Sequence, residues 1–136
     1  MGLANRRVSI HDMSLSLRLS EFINILNSMN CDASSVVVLQ KKKHDRRRAS
    51  ARRSRFIGVS KNGPSWQAMI TVNRRKTYIG TYKTERDAAI AFDFYSMLVH
   101  RMEGKTNFSY TKEQLWQMVG NFSDNNQVLD VYQLGF

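Results

Sequence analysis

The stretch 65–72, SWQAMITV, decides the fold, because apolar and polar side chains alternate along it. Such a period of two is typical of a β-strand with one buried face and one open face. The side chains that point to the apolar side are Trp66, Ala68, Ile70 and Val72. Those that point to the other side are Gln67, Met69 and Thr71. We therefore predict a strand with a core face and a face left for solvent or a ligand.

Turn signals lie on both sides of this strand. Lys61-Asn62-Gly63-Pro64 precedes it and Asn73-Arg74-Arg75 follows it. Asn-Gly tolerates the positive φ angles of tight hairpins. We predict one further strand over 55–60 and another over 76–82, so that three consecutive strands form an antiparallel meander.

A helix is predicted to follow the sheet, with Thr84 as its cap, Asp87 as capping-box partner and Gly104 as its stop. Apolar residues recur at helical spacing on one face, which would cover the apolar side of the sheet. They are Ala88, Ala91, Phe92, Tyr95, Leu98, Val99 and Met102. The predicted fold class is α+β: a three-stranded antiparallel sheet packed against one α-helix, with additional N- and C-terminal helical segments.

The N-terminal segment carries a helical stripe that Asp12 could cap. Its residues are Leu15, Leu19, Phe22, Leu26 and Met29. Either the stripe packs on this chain's own domain, or it forms a seam with a protein partner or a second copy. The run 36–39 is either a strand or a collapsed loop. After the main helix, Thr111 is expected to cap a short helix with Leu115, Trp116 and Val119, and an apolar tail should dock on the domain.

Positive charge is concentrated in one block of the chain. The 136 residues carry a net charge of +10, and 41–55 hold nine basic residues against Asp45. The natural partner of so dense a block is a polyanion, with nucleic acid first and an anionic membrane surface second. Residues of this basic arm are Lys41, Lys42, Lys43, Arg46, Arg47, Arg48, Arg52 and Arg53.

Catalytic and metal-binding chemistry is not indicated. Cys31 is the only cysteine, so an intramolecular disulfide is impossible and a zinc site would lack its usual thiolates. No carboxylate pair, or nucleophile with a neighbouring base, can be assembled from the pattern. We expect no enzyme activity, no cofactor and no metal. Since no apolar run approaches 18 residues, we expect a soluble protein without a membrane partner.

Several short motifs together resemble one known family. They are Phe56-Ile57-Gly58-Val59, Trp66-Gln67-Ala68-Met69-Ile70, Tyr78-Ile79-Gly80-Thr81-Tyr82, the helix start 84–93 (TERDAAIAFD) and Asn107-Phe108. This set resembles the APETALA-two/ethylene-responsive-factor DNA-binding domain over about 55 of the 136 residues. The resemblance implies a sheet that lies in the major groove of DNA, with the helix packed behind it.

The resemblance also implies which positions contact DNA. The family's contacts fall at Ile57, Ser60, Asn62, Met69, Thr71, Lys76 and Tyr78. The family usually has arginine at most of them and tryptophan at the last, and here only Lys76 and Tyr78 keep that character. Ile57, Met69 and Thr71 cannot make the bidentate contacts by which arginine recognises guanine.

We therefore expect a nuclear, transcription-regulator-like protein that binds double-stranded DNA specifically or semi-specifically. The expected organisation is an N-terminal helical extension (1–40), a basic arm (41–54), the DNA-binding domain (55–110) and a C-terminal helix and tail (111–136). The predicted DNA-binding residues are Arg55, Ser60, Lys61, Asn62, Gln67, Thr71, Arg74, Arg75, Lys76 and Tyr78. The alternative is a non-catalytic subunit of a larger nucleoprotein or chromatin complex, in which the module contacts protein or RNA.

Overall fold

A computed structural model describes residues 8–40 and 54–136 of the chain. The helices are α1 (Ser16–Ser28), α2 (Glu85–His100) and α3 (Lys112–Asp124). The strands are β1 (Val36–Val38), β2 (Val59–Asn62), β3 (Ser65–Val72), β4 (Arg75–Tyr82) and β5 (Tyr110–Thr111). Short 3-10 turns lie at Ile10–Asp12, Arg101–Glu103 and Val131–Gln133. The α+β class is confirmed.

The antiparallel meander β2-β3-β4 is confirmed, with β3 in the centre. Asn73 (φ 52°) and Arg74 (φ 64°) close the second hairpin, and two successive positive φ angles are what a type I′ turn requires. In the first hairpin Asn62 pairs with Ser65, and Gly63 takes the positive φ of 58° at the start of the loop. Local turn chemistry therefore fixes both hairpins.

The first strand is shorter than predicted. It begins at Val59 rather than at residue 55, because Gly58 (φ 76°) turns the chain just before it. A Cβ atom on Gly58 would lie 2.1 Å from the Phe92 ring, so only glycine fits this close approach. The backbone N–H of Met69 then donates to the Gly58 carbonyl at 2.8 Å, which joins the turn to β3.

Strand β4 contains a bulge that decides which of its side chains are open. Ala68 pairs with Gly80 but Met69 pairs with Tyr78, so Ile79 is the extra residue. Ile79 turns into the core, where it is 2% exposed. The bulge keeps Tyr78 opposite Met69 on the open side of the sheet.

Helix α2 is the centre of the fold. Its predicted apolar face packs on the sheet, but all residues from Ala88 to Val99 are buried, not one face alone. Phe94 lies on the side away from the sheet, with ring centroids 6.4 Å from Phe22 of α1 and 5.1 Å from Phe122 of α3. A helix that is apolar all round must be covered all round. The N- and C-terminal helices supply the second cover.

The predicted helix caps at Thr84 and Thr111 are confirmed, and the predicted helix stop at Gly104 is wrong. Thr84 accepts from the backbone N–H of Asp87 at 3.1 Å, and Thr111 forms a capping box with Gln114. Gly104 does not stop α2, which ends where Arg101 adopts a positive φ of 59°. Gly104 is needed instead for close packing, since a Cβ there would lie 2.5 Å from the Ser96 carbonyl oxygen.

The stripe on α1 packs on this chain's own domain. Leu15, Phe22 and Leu26 are at most 2% exposed, and Leu19 and Met29 are half-buried against the same core. The alternative interpretation, a seam with a partner or a second copy, is therefore wrong for this stripe, because the chain's own core already covers these side chains. The prediction that Asp12 caps α1 is also wrong, because the cap residue of α1 is Leu15.

Asp12 lies four residues before α1 and completes the capping box of the 3-10 turn at Ile10–Asp12, where its carboxylate accepts from the backbone N–H of the cap residue Ser9.

The short run after α1 and the C-terminal tail both find partners. Val36–Val38 is a strand that pairs with Tyr110–Thr111, which resolves the strand-or-loop alternative. In the tail, Leu129 and Val131 are buried, and the backbone N–H of Leu129 donates to the Tyr95 hydroxyl at 3.2 Å. The docking of the tail is confirmed.

Among the described residues, no helix combines the length and the apolar character needed to cross a membrane.

A buried polar network joins the sheet, the helix and the closing segment. Asp93 is 0% exposed and accepts from the Asn107 backbone and side-chain amides, the Phe108 backbone N–H and the Tyr110 hydroxyl, at 2.7 to 3.1 Å. Asn107 also accepts from the backbone N–H of Ile57 at 2.7 Å and donates to its carbonyl at 3.1 Å. Burial raises the pKa of the Asp93 carboxyl to about 7, although the hydrogen bonds from Asn107, Tyr110 and Phe108 lower it.

Replacing Asn107 with alanine should destabilise the protein by about 3 kcal/mol, because it leaves both backbone groups of Ile57 without a side-chain partner and removes one of the four hydrogen bonds to Asp93. Urea denaturation of the full chain measures the free energy of unfolding. The matched control is Asn24→Ala on the exposed side of α1, which should change stability by no more than about 0.5 kcal/mol. Equal effects of the two substitutions would contradict the role assigned to Asn107.

The raised pKa of Asp93 predicts a pH-dependent stability. The native state holds this proton more tightly than the unfolded chain, so the stabilisation is complete below about pH 4 and is lost as pH rises through about 7. Between pH 5 and pH 8 the wild type should lose about 2–3 kcal/mol relative to Asp93→Asn, which cannot titrate. Urea unfolding of both proteins across this range gives the difference, and parallel pH profiles would refute the shift.

Candidate nucleic-acid interface

The outer face of the meander is the side turned away from α2. Cross-strand pairing defines it, because paired residues share a face. Its residues are Ser60, Asn62, Ser65, Gln67, Met69, Thr71, Lys76, Tyr78 and Thr81. None of them is buried, whereas Ala68, Ile70, Val72 and Ile79 on the inner face are at most 6% exposed. The alternation predicted for β3 therefore separates a core face from an open face.

Six of the ten predicted DNA-binding residues come together on the outer face, and four do not. The six are Ser60, Asn62, Gln67, Thr71, Lys76 and Tyr78. Arg74 and Arg75 lie beside the face, in and next to the second hairpin loop. Lys61 belongs to the inner-face register and lies 5.8 Å from the centroid of the Trp66 ring. Arg55 lies outside the sheet and is exposed.

Arg55 follows a buried anchor. The Ser54 hydroxyl accepts from the backbone N–H of Phe56 at 3.0 Å and donates to the Glu85 carboxylate at the start of α2. Ser54 is 7% exposed, so this point of the chain is held against the domain. Residues 41–53, which hold the whole predicted basic arm, lie outside the described residues.

Ile57, a contact position implied by the family resemblance, is not on the outer face. It precedes β2, its backbone is bonded on both sides by Asn107, and its side chain packs against the core. The turn at Gly58 explains this placement, since the first strand starts two residues after Ile57.

Polar side chains on the outer face hold one another in place. The Gln67 amide donates to the Ser60 hydroxyl at 3.3 Å and contacts the Met69 sulfur at 3.9 Å. Its carbonyl oxygen Oε1 is buried and has no hydrogen-bond partner among the residues that the structure describes. The Tyr78 and Thr81 hydroxyls are 2.5 Å apart. The face thus carries a positioned row of polar groups with one unsatisfied acceptor.

Cations lie at the two ends of the meander, and carboxylates are missing from it. Residues 59–82 contain Lys61, Arg74, Arg75 and Lys76 but no aspartate or glutamate. Lys61 stands next to the first hairpin, and the other three stand at the opposite end of β3. All 11 carboxylates of the chain lie outside this segment. The local field is positive and favours an anionic partner.

An unpredicted element covers part of the sheet edge. The backbone N–H of Tyr78 donates to the Val8 carbonyl at 2.7 Å, and Ser9 forms a parallel bridge with Tyr78. Ile10 follows and is 0% exposed in the core. An edge strand offers unpaired backbone groups, and this segment occupies some of them on β4. A single bridge leaves no periodic pattern in the sequence, so pattern analysis could not have found it.

No family model matches this chain, and no solved structure matches it. The chain is similar to a curated protein of Medicago truncatula named Ethylene-responsive transcription factor ERN3, with 36% identity over 72 residues. The match covers 51% of this chain, and this chain spans about 30% of the length of that relative. The partial similarity, together with the α+β fold, suggests a domain of the APETALA-two/ethylene-responsive-factor type.

The Val8–Ile10 segment should contribute to stability through its one buried anchor. Ile10→Ala removes a fully buried side chain and should cost about 2–4 kcal/mol in the free energy of unfolding measured with urea. The control is Leu17→Ala, since Leu17 is 71% exposed and its truncation should change stability by no more than about 0.5 kcal/mol. An Ile10→Ala protein as stable as the control would show that the segment is not docked.

Proposed function

We propose that this chain binds double-stranded DNA as a transcription regulator, with the outer face of the meander in the major groove. The observation that carries the proposal is the open, carboxylate-free outer face, which carries Lys76 and has Arg74 and Arg75 beside it. The similarity to an ethylene-responsive transcription factor supports DNA-binding transcription regulation as the broad function. A nuclear location follows from that function and is part of the proposal.

The geometry is suited to a groove. A major groove about 12 Å wide admits a β-ribbon, and strands about 4.8 Å apart fit within it. Polar side chains in the middle of the face would meet base edges. Lys61, Arg74, Arg75 and Lys76 would meet the phosphates that border the groove.

The remaining segments have supporting roles in this proposal. Residues 55–110 form the DNA-binding unit, and α1 and α3 cover the far side of α2. The basic arm 41–54 would run along phosphates next to this unit. Together with Arg55 it holds nine basic residues, the densest block of positive charge in the chain. Counterion release would then add affinity with little sequence preference.

A second function is favoured by one observation. Met69 pairs directly with Tyr78 at the centre of the outer face, and both side chains are half-buried. A flexible methionine beside an aromatic ring also suits a protein or RNA surface. In that case the chain would be a non-catalytic subunit of a larger nucleoprotein or chromatin complex.

The dependence of affinity on salt tests the DNA-binding proposal. The variant Arg74→Gln/Arg75→Gln/Lys76→Gln removes three cations at one end of the outer face. By counterion release it should flatten the slope of log K against log[salt] by about 2–3. Fluorescence anisotropy of the full chain with a labelled 20-base-pair duplex, over a series of salt concentrations, measures the slope.

The matched control is Lys83→Gln/Arg86→Gln/Lys105→Gln, which removes the same charge away from the face. Lys83 lies over the Tyr132 ring and Arg86 over the Phe108 ring, at 5.5 and 5.8 Å from the centroids. The control should flatten the slope by less than about 1. An equal loss in both variants, or no duplex binding by the wild type, would contradict the proposed interface.

A further inference from the structure

Beyond the Asn62–Ser65 pair at the first hairpin, the side chains of the outer face form three rows across the sheet. The first contains Ser60, Gln67 and Thr81, the second Met69 and Tyr78, and the third Thr71 and Lys76. Same-face residues along a strand are about 7 Å apart, which is about two base-pair steps of 3.4 Å. Each row can therefore meet its own base pair, and the chemistry of a row sets which base it favours.

Gln67 is the one side chain of the first two rows that carries an N–H donor and a carbonyl acceptor side by side. That pair matches the N7 acceptor and the N6 amino group of adenine in the major groove. Cytosine also offers an amino donor there but has no N7, and guanine offers acceptors only. A glutamine amide at this place therefore selects adenine.

The state of Gln67 in the free protein points to a ligand. Its Oε1 atom is buried and has no partner among the described residues, while its Nε2 atom makes contacts of 3.3 and 3.9 Å with Ser60 and Met69. An unsatisfied acceptor costs free energy, and neither of the two contacts is short. A ligand amino group that donates to Oε1 would remove this cost, so turning the side chain outward into a groove is favoured.

The neighbouring rows add apolar groups rather than guanine-binding ones. Met69 and Tyr78 face each other in the second row, and Thr71 places a methyl group in the third. Such groups contact the C5-methyl of thymine, which other bases lack. Lys76 in the third row is the one cation of the outer face, so guanine recognition is restricted to that row.

We propose that the outer face recognises an A·T-containing site in the major groove, with Gln67 on an adenine edge and Met69 and Tyr78 on the thymine methyl of a base pair two steps away. This inference rests on the proposed function, because it names the bases that the same DNA-binding face would select.

Selection of duplexes from a random pool by the full-length chain tests the inference at moderate salt. The wild type should enrich A·T pairs at two positions that lie two base pairs apart. Gln67→Arg should change one of these positions to G·C, because arginine pairs with guanine O6 and N7. Gln67→Ala should bind the wild-type site roughly 5- to 150-fold more weakly, the range that a lost bidentate contact implies.

The matched control is Gln117→Arg on the exposed surface of α3, which adds the same charge away from the face and should leave the enriched site unchanged. Unchanged urea midpoints for the variants would show that the fold is retained. Enrichment of G·C-rich duplexes by the wild type, unselective binding, or a Gln67→Arg preference equal to that of the wild type would overturn the inference and leave the proposed function intact. No duplex binding by the wild type would overturn the proposed function itself.

Discussion

The buried pair of Asp93 and Asn107 is the constraint on which the rest of the structure depends. Asp93 comes from the middle of α2, and the Asn107 side chain bonds it at 3.1 Å while holding the backbone of Ile57 on its other side. Three segments far apart in the chain are thereby fixed to one another. A buried carboxylate is costly, and the four hydrogen bonds that it accepts offset part of this cost only while these segments stay together. The network therefore stabilises the native arrangement of all three segments together.

This arrangement leaves one side of the sheet open. Because Ile57 is fixed and Gly58 turns sharply, β2 starts at Val59 and aligns with β3 so that the apolar side chains face α2. The far side of α2 is taken by α1 and α3, whose phenylalanines contact Phe94. The Val8–Ser9 segment covers part of the β4 edge. The inner face of the meander and the far side of α2 are thus covered by the chain itself, and the outer face of the meander stays open.

Electrostatics and packing agree on the character of that face. The segment 59–82 has four cations and no carboxylate, while the stretch 111–136 carries a net charge of −2 from one lysine and three acidic residues. The asymmetry favours approach of an anion from the sheet side. In the centre of the face the side chains, such as Gln67 and Met69, are neutral, so the proposed base contacts there are hydrogen bonds and methyl contacts rather than ion pairs.

The sequence by itself determined the meander, its two hairpins, helix α2 and the separation of Gln67, Met69 and Thr71 from the core, because strand alternation, turn residues and helix caps act between near neighbours in the chain. Tertiary structure alone decided that the α1 stripe packs on α2 rather than on a partner, and that Ile79 forms a bulge in β4. It also decided that the Val8 carbonyl accepts from Tyr78 and that the Asn107 side chain bonds Ile57, 50 residues away. These contacts join residues with no local pattern in common, so they form only when packing brings distant segments together. The amphipathic stripe shows the reason well: periodicity reveals that a face must be covered, but only the assembled core determines what covers it.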